Sequence, residues 1–519
     1  MSDRTDHVEA AKERNEAEAE ARAEQGPARM SQDAAPIADA LRNFWERDTL
    51  SFGVPAHQGG RGPEPEAALW AGPEAIRSDA PISHGVDRLD RSWQVQSTAQ
   101  QLFAEATGAQ QTLFSTNGSS MSARVAMMAV AGPGETLLMA RNGHKSAFAG
   151  LVLCGANPVY VDPVYDEELE LAHGVEVPAM EAALGAHPEA KAAMVFTPSY
   201  YGTSADVRAL AEVCHERSVP LVTDDAWALD YAFTTHPDLP EGALAQGADL
   251  AIGSVHKTLS GFSQTSVLSM QGDLVDPERL TLCFELEEST SVSALLLSGI
   301  DGARRQFVRE GYELLDRALR MAKLARERLA AEVPELYVVA SKELGTRPGV
   351  TGVDPTHILI DVASVGLTGY EATHWVLDEH AVAFELMDHR RVMPLITYAH
   401  GEEDIERLVR ALRDLVDRRG EAGRAPDVRT LPSRAELRTE QAMLPREAFF
   451  APTELVEVTK AAGRVSAELV TPYPPGIPAL APGEVVNEAI VDYFQGTSAA
   501  GGFVEGAADP TLRTLRVVR

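Results

Sequence analysis

The sequence predicts an α/β protein: a large domain with a mainly parallel sheet, a smaller α/β domain after it, and a C-terminal α+β segment. Three observations predict this. Between residues 111 and 254 short apolar runs alternate with helical stretches, the pattern left by right-handed βαβ crossovers. Small, hydroxyl or charged residues directly follow several of those runs, which is where parallel sheets place ligands, beyond the carboxyl ends of their strands. Finally, 519 residues exceed one ordinary core, and domains of ~100–200 residues imply roughly two to four of them.

With 45% hydrophobic and 24% charged residues, the composition is that of a globular chain. No apolar run reaches transmembrane length and no secretory apolar segment follows Met1, so a cytoplasmic location is expected. Three cysteines, Cys154, Cys214 and Cys283, are too few for a disulfide framework and form no Cys-x-x-Cys pair, so no thiolate metal site is expected. The net charge of −31, from 46 basic and 77 acidic residues, argues against nucleic acid or an anionic membrane as a partner. Surplus carboxylates serve solubility first and are compatible with a cationic substrate.

Taken in order, residues 1–30 are rich in Ala, Glu, Arg and Gln, and a disordered or helical tail is expected. An N-terminal segment, 31–90, carries an amphipathic helix from Ile37 to Trp45 and a loop from Ser51 to Gly60 that Pro and Gly keep irregular. The large domain is assigned to 91–330. A helix from Gln94 to Thr107 leads to strands at Gln111–Phe114, Thr136–Ala140, Pro158–Val161, Ala192–Thr197, Pro220–Thr223 and Leu250–Gly253, with helices such as Lys145–Leu153 and Asp206–Arg217 between them. The pattern from Ala294 to Glu332 is one long helix expected to bridge to the next domain. That domain, 331–418, mixes strands at His357–Asp361, Val382–Leu386 and Val392–Ile396 with helices at Tyr370–Glu379 and Glu403–Arg418. A polar linker, 419–433, precedes a C-terminal domain, 434–519, whose stretch from Thr471 to Pro478 is too rich in proline for helix or central strand.

The chemistry gathers at Gly253-Ser254-Val255-His256-Lys257-Thr258, where a lysine emerges just past an apolar strand. A lysine amine forms a Schiff base with an aldehyde, and pyridoxal phosphate is the aldehyde cofactor most often held so. Such a cofactor asks for an acid at its ring nitrogen, donors at its phosphate and a flat group on its ring. Asp224-Asp225-Ala226-Trp227 offers a carboxylate at a strand end, Thr116-Asn117-Gly118-Ser119-Ser120 offers a helix start with hydroxyls, Ser254 and His256 add to that cradle, and His144 in Arg141-Asn142-Gly143-His144-Lys145-Ser146 offers the ring. Each alone has a plainer reading: a solvated lysine, a turn-capping Asp, a Ser N-cap, an exposed loop His. Their joint presence favours the cofactor.

Those motifs, with Pro198-Ser199-Tyr200-Tyr201-Gly202 and Ser254 to Leu259, resemble the major domain of the bacterial ornithine/lysine/arginine decarboxylase family over roughly residues 45–310. Tyr473-Pro474-Pro475-Gly476-Ile477-Pro478 with Pro482-Gly483-Glu484 resembles that family's C-terminal domain. The resemblance implies the type I pyridoxal phosphate fold, akin to aspartate aminotransferase. It implies that Lys257 holds the cofactor, Asp224 pairs with the ring nitrogen, His144 stacks on the ring within a site that also includes Ala226 and Trp227, and Ser119, Ser120, Ser254 and His256 surround the phosphate. It further implies a homodimer with a shared site, or a higher oligomer containing it, with Thr290 and Ser291 reaching the neighbouring subunit's phosphate. The chain departs from the family with Val292 and Ala294 where proline and tyrosine are usual, Pro55-Ala56-His57-Gln58 for Pro-Gly-His-Lys, and Asp224-Asp225-Ala226-Trp227 for Asp-Glu-Ala-His. The response-regulator-like wing of the long enterobacterial enzymes has no room here, so assembly through it is not expected.

The expected reaction is α-decarboxylation of lysine, ornithine or arginine to a polyamine-type amine and CO2, with Glu385 and Glu484 as candidates for the substrate's distal cation. An aminotransferase or aldolase would use the same lysine and aspartate. A catalytically silent regulatory or assembly protein is the alternative of another class, opposed by the joint presence of Lys257, Asp224 and His144.

Overall fold

Seven short strands build the main sheet: β1 (Gln111–Ser115), β2 (Thr136–Ala140), β3 (Asn157–Val161), β4 (Ala192–Phe196), β5 (Leu221–Asp224), β6 (Leu250–Ser254) and β7 (Ser266–Met270), in the order β1-β7-β6-β5-β4-β2-β3. The computed structural model describes residues 30–47, 50–87, 94–423, 436–473, 476–499 and 502–519. The expected tail therefore lies outside the described residues except for Met30, as does most of the expected linker. The pairs β3/β2, β2/β4, β4/β5 and β5/β6 are parallel. Every residue of β2, β4 and β6 is buried, as a sheet covered by helices on both faces requires.

The strand β7 was not anticipated. It runs antiparallel between β6 and β1, and its serines interrupt the apolar run that marks the other strands. Those hydroxyls are satisfied inside the sheet: Ser266 Oγ donates to Gly253 O at 2.9 Å, and Ser269 Oγ shares a 2.9 Å hydrogen bond with Thr112 Oγ1.

Helices α1 (Pro36–Glu46), α2 (Gln94–Thr107), α3 (Gly118–Val130), α4 (Lys145–Cys154), α5 (Val177–Ala186), α6 (Val207–His215) and α7 (Pro277–Glu287) accompany this sheet. Next comes α8 (Ala294–Glu332), 39 residues long and, at 1.5 Å per residue, about 58 Å from end to end. Its first half packs Leu297, Ile300 and Phe307 into a core with Phe103 and Phe114, and its second half packs Ala322, Ala325 and Leu329 into the core of the next domain. One helix thus ties two cores, as its sequence predicts.

In the small domain β8 (Tyr337–Val338), β9 (Ile360–Asp361), β10 (Leu386–Met387) and β11 (Arg391–Met393) form an antiparallel sheet ordered β8-β9-β11-β10, backed by α9 (Gly369–His380) and α10 (Glu402–Asp417). The strands are shorter than expected. Val382 to Glu385 line a cavity instead of pairing as a strand, and the strand expected to reach Ile396 ends before Pro394, which cannot donate to a ladder. The C-terminal domain contains α11 (Pro445–Phe450), β12 (Thr453–Glu457), β13 (Thr471–Tyr473), α12 (Glu488–Ala499), β14 (Phe503–Glu505) and β15 (Thr514–Val518), with β12 pairing β15 and β13 pairing β14. Among the described residues no helix is long and apolar enough to cross a membrane.

Candidate active site

The parallel register brings the strand-end motifs to one edge. Phe196 pairs with Asp224, and Asp224 pairs with Ile252, two residues before Ser254, so β4, β5 and β6 deliver their last residues side by side. Lys257 then rises on a single helical turn, Val255–Thr258. Its Nζ lies 4.1 Å from the centroid of the Trp227 ring, a distance at which the indole face attracts a cation. Burial pushes the Lys257 amine below its ordinary value, opposed by the charges of Asp224 and Glu385. A depressed amine carries more of the neutral, nucleophilic form.

A cavity of about 40 Å³ joins Ser119, His144, Phe196, Asp224, Trp227 and Lys257, with Ala226 also on its wall. His144 caps α4, its Nδ1 accepting from Ser146 N at 3.2 Å. That bond leaves the ring proton on Nε2. Burial, then the charges of Lys257 and Lys145, push His144 down to about 3, so the ring is neutral and flat-faced at physiological pH. Gly143 beside it is required, because a Cβ there would collide with the Phe196 ring. Asp224 Oδ1 accepts from Ala226 N at 3.2 Å, and burial raises its carboxyl against the opposing charge of Lys257. Asp225 is pushed up to about 8 by burial and by its charged neighbour Asp224.

At the other end of the cavity, α3 starts without a side-chain cap, and Gly118 adopts φ +75°, which glycine takes without steric penalty. Ser119 Oγ and Ser254 Oγ lie 2.6 Å apart, and Ser120 follows in the same turn. An uncapped helix start with clustered hydroxyls is an anion site. His256 Nδ1 lies 3.0 Å from Thr265 O, to which it donates, so Nε2 is the ring atom left for other partners.

Lys257, Trp227 and His256 also line a larger cavity of about 670 Å³ with Glu385, Thr397 and His400. Glu385 stands open to solvent on this wall, yet enough protein surrounds it that desolvation pushes its carboxyl up, against the charges of Lys257 and His357. Glu484 takes another place. Its side chain is 1% exposed, with Oε2 3.1 Å from Arg141 Nη2 and 2.7 Å from Ala481 N. It braces the loop before His144 rather than lining either cavity. Thr290 and Ser291 are exposed and likewise line neither cavity of their own chain. Sequence reasoning missed Phe196, a strand-end aromatic whose only signal is its position beside Asp224, and did not select Tyr200 and Ser146, which lie within the quoted motifs and on the cavity wall.

An acid, a neutral ring, an anion cradle and a lowered lysine around one cavity fit pyridoxal phosphate, and the buried Trp227 Nε1, which has no partner among the described residues, leaves a donor free there. Such a site at this edge of such a sheet defines a type I pyridoxal-phosphate-dependent enzyme. Residues 35–404 match the model for "Orn/Lys/Arg decarboxylase, major domain" and residues 431–504 that for the "Orn/Lys/Arg decarboxylase, C-terminal domain". The chain belongs to this family of pyridoxal-phosphate-dependent lyases. It is similar to the arginine decarboxylase of Halalkalibacterium halodurans, 35% identical over 94% of this chain and 98% of the relative, and to that of Bacillus subtilis, 35% identical over 94% and 99%. Among solved structures, the lysine decarboxylase LdcF of Francisella novicida shares the fold with a TM-score of 0.78 at 21% identity, covering 93% of this chain and 81% of the other. The constitutive lysine decarboxylase of Escherichia coli does so at 0.76 and 20%, covering 94% and 82%.

Proposed function

We propose that this chain removes the α-carboxylate of L-arginine, releasing CO2 and the decarboxylated amine. The carrying observation is that Lys257, Asp224 and His144 line one small cavity, while the same Lys257 lines a larger cavity that has Glu385 on its wall. The choice of arginine is supported by the full-length similarity to arginine decarboxylases at 35% identity, against 24% to the lysine decarboxylase LdcA of Pseudomonas aeruginosa.

When bound, pyridoxal phosphate supplies an electron sink for the bond that breaks at the substrate Cα. Lys257 would hold the cofactor through its amine. Asp224 would keep a proton on the ring nitrogen, and the neutral His144 ring would face the cofactor within a wall that Ala226 and Trp227 complete. The first turn of α3, with Ser119, Ser120, Ser254 and His256, takes the phosphate. Glu385 receives the guanidinium, a planar fork that a carboxylate can bind by two bonds. The active unit is a homodimer in which Thr290 and Ser291 serve the neighbouring site, a reading supported by their exposure and by the exposed Leu282 and Leu286 on α7 just before them.

The test is to incubate protein and pyridoxal phosphate with arginine, lysine and ornithine in turn, measuring CO2 and identifying products by mass spectrometry. CO2 and the arginine-derived amine are expected, and Lys257→Ala abolishes both. A keto acid without CO2 would replace this reading with transamination.

A further inference from the structure

Away from both cavities, one side chain of the large domain reaches the small domain and takes hold of the turn beyond Glu385. It is Glu170, in the tight hairpin that Tyr165–Asp166 forms with Leu171–Ala172. Asp166 shapes that hairpin, its Oδ1 accepting from Glu168 N at 3.0 Å and from Leu169 N at 2.9 Å. Leu169 and Leu171 anchor it in an apolar cluster with Leu344, Leu359, Leu386 and Met393 of the small domain. Glu170 stands at φ +52°, a left-handed conformation that glycine or asparagine adopts more readily than glutamate. Strain kept at such a position points to the side chain as the reason for the residue.

Both oxygens of that side chain are used. Glu170 Oε2 lies 2.6 Å from His389 Nε2, and Oε1 accepts from Arg390 Nη1 at 2.7 Å. The His389 bond, aided by Arg390 and opposed by burial, holds the Glu170 carboxyl at about 2, so it is a carboxylate at physiological pH. His389 and Arg390 lie in the turn between β10 and β11, which Asp388 stiffens by accepting from Arg390 N and Arg391 N, each at 2.7 Å. Arg390 also pairs with Asp361 of β9 at 2.8 Å, which ties the turn to the small-domain sheet. From this turn the strands run back through the pairs Met387 with Val392 and Leu386 with Met393, and Glu385 N donates to Met393 O at 3.1 Å. Glu385 is therefore at one end of a short, stiff hairpin whose other end Glu170 holds. The Tyr201 hydroxyl of the large domain also reaches this turn, at 3.4 Å from Asp388 Oδ2, which is long for a hydrogen bond. Arg347 binds Glu168 at 2.7 Å, a contact that fixes the Glu170 hairpin and not the turn.

We propose that Glu170 is a positioning residue for the substrate's distal cation. By clamping the His389–Arg390 turn against the large domain, it sets the reach from Lys257 of the large domain to Glu385 of the small one, across the cavity that both line. That reach decides which length of cationic side chain is seated, because a guanidinium takes two bonds from a carboxylate only when the pair is placed to a fraction of an ångström. Glu170 lines neither that cavity nor the one holding Asp224 and His144, so it acts through Glu385 and not on the substrate. This rests on the reading of Glu385 as the partner of the guanidinium.

A double-mutant cycle on the cofactor-loaded protein tests it, because the cycle separates action through Glu385 from a general loss of structure. Glu170→Asn suits the left-handed backbone but is a methylene too short for the two bonds and carries no charge. It should raise the KM for arginine about tenfold with kcat within about twofold, the scale of a sub-ångström misplacement. In a Glu385→Gln background the same change should move KM by less than about twofold, since no carboxylate is left to place. His389→Ala, which removes one of the two bonds, should raise KM in the same direction and lose its effect in the same background, and it decides the matter if Glu170→Asn does not fold. An unchanged KM, a fall in kcat that accounts for the loss, or an equal rise in KM in both backgrounds overturns the proposal. If Glu385→Gln by itself leaves the KM for arginine unchanged, the reading of Glu385 fails and the proposal with it. If it raises KM and the cycle is additive, only the role of Glu170 is lost.

Discussion

Asp225 carries a consequence that Asp224, one residue earlier, does not. Its carboxyl is held at about 8 in the fold, against about 3.9 in an unfolded chain. Between those values the folded protein binds a proton that the unfolded chain has lost, so this group's contribution to stability falls as pH rises from about 4 to about 8. Asp225→Asn is therefore expected to unfold less readily than wild type near pH 8, with an advantage that shrinks towards pH 4, read from urea midpoints at several pH values. Glu385 acts on substrate instead. Glu385→Gln should raise the KM for arginine by about 10- to 100-fold, the worth of a charged hydrogen bond of ~1.5–3 kcal/mol, with kcat little changed in steady-state assays. Lys257, Asp224 and His144 were legible because each stands at or shortly past the end of an apolar strand and is a residue type the chemistry demands. Glu170 was not, because only folding brings it to His389 and Arg390, 219 and 220 residues further on.

Between elements, the C-terminal domain grips the loop that carries His144. Arg141 Nη1 donates to Pro478 O at 2.7 Å, Lys145 N donates to Gly476 O at 3.0 Å, and Lys145 Nζ pairs with Glu505. The Arg141 guanidinium lies 5.0 Å from the Phe148 ring and 5.3 Å from that of Tyr160. With Arg141 and Glu484 both buried, Glu484→Ala leaves an unpaired cation inside the protein and should cost about 3–5 kcal/mol of stability. The same change should loosen His144, so the variant is expected to lose cofactor more readily on dialysis, measured by visible absorbance. The segment around Glu484 was recognisable in the sequence, but its partner lies 343 residues away, and no local pattern announces that pairing. Similarly, β7 escaped notice because its serines look polar until the sheet supplies their partners.

Across the molecule, α8 couples the cofactor-bearing domain to the small domain, and the larger cavity lies between Lys257 of one and Glu385 of the other. Exposed Phe52, Trp70, Leu282 and Leu286 leave apolar surface for a neighbour to cover. A dimer is expected by light scattering, and replacing Thr290 and Ser291 together with alanine should weaken cofactor binding without dissociating it. Mixing that double variant with Lys257→Ala should restore activity to about a quarter of sites if one chain completes the other's site, since random pairing gives half heterodimers with one good site each.

By itself the sequence determined the alternation of strands and helices, the long bridging helix and the strand-end motifs, because hydrophobic period and local turn chemistry are properties of neighbouring residues. Tertiary structure alone decided that Glu484 braces a loop, that Thr290 and Ser291 face outward, and that Asp230, Thr258 and His357 line one cavity with Lys257. Those outcomes depend on burial and on charges brought together from distant parts of the chain, and both come into being only when the domains pack.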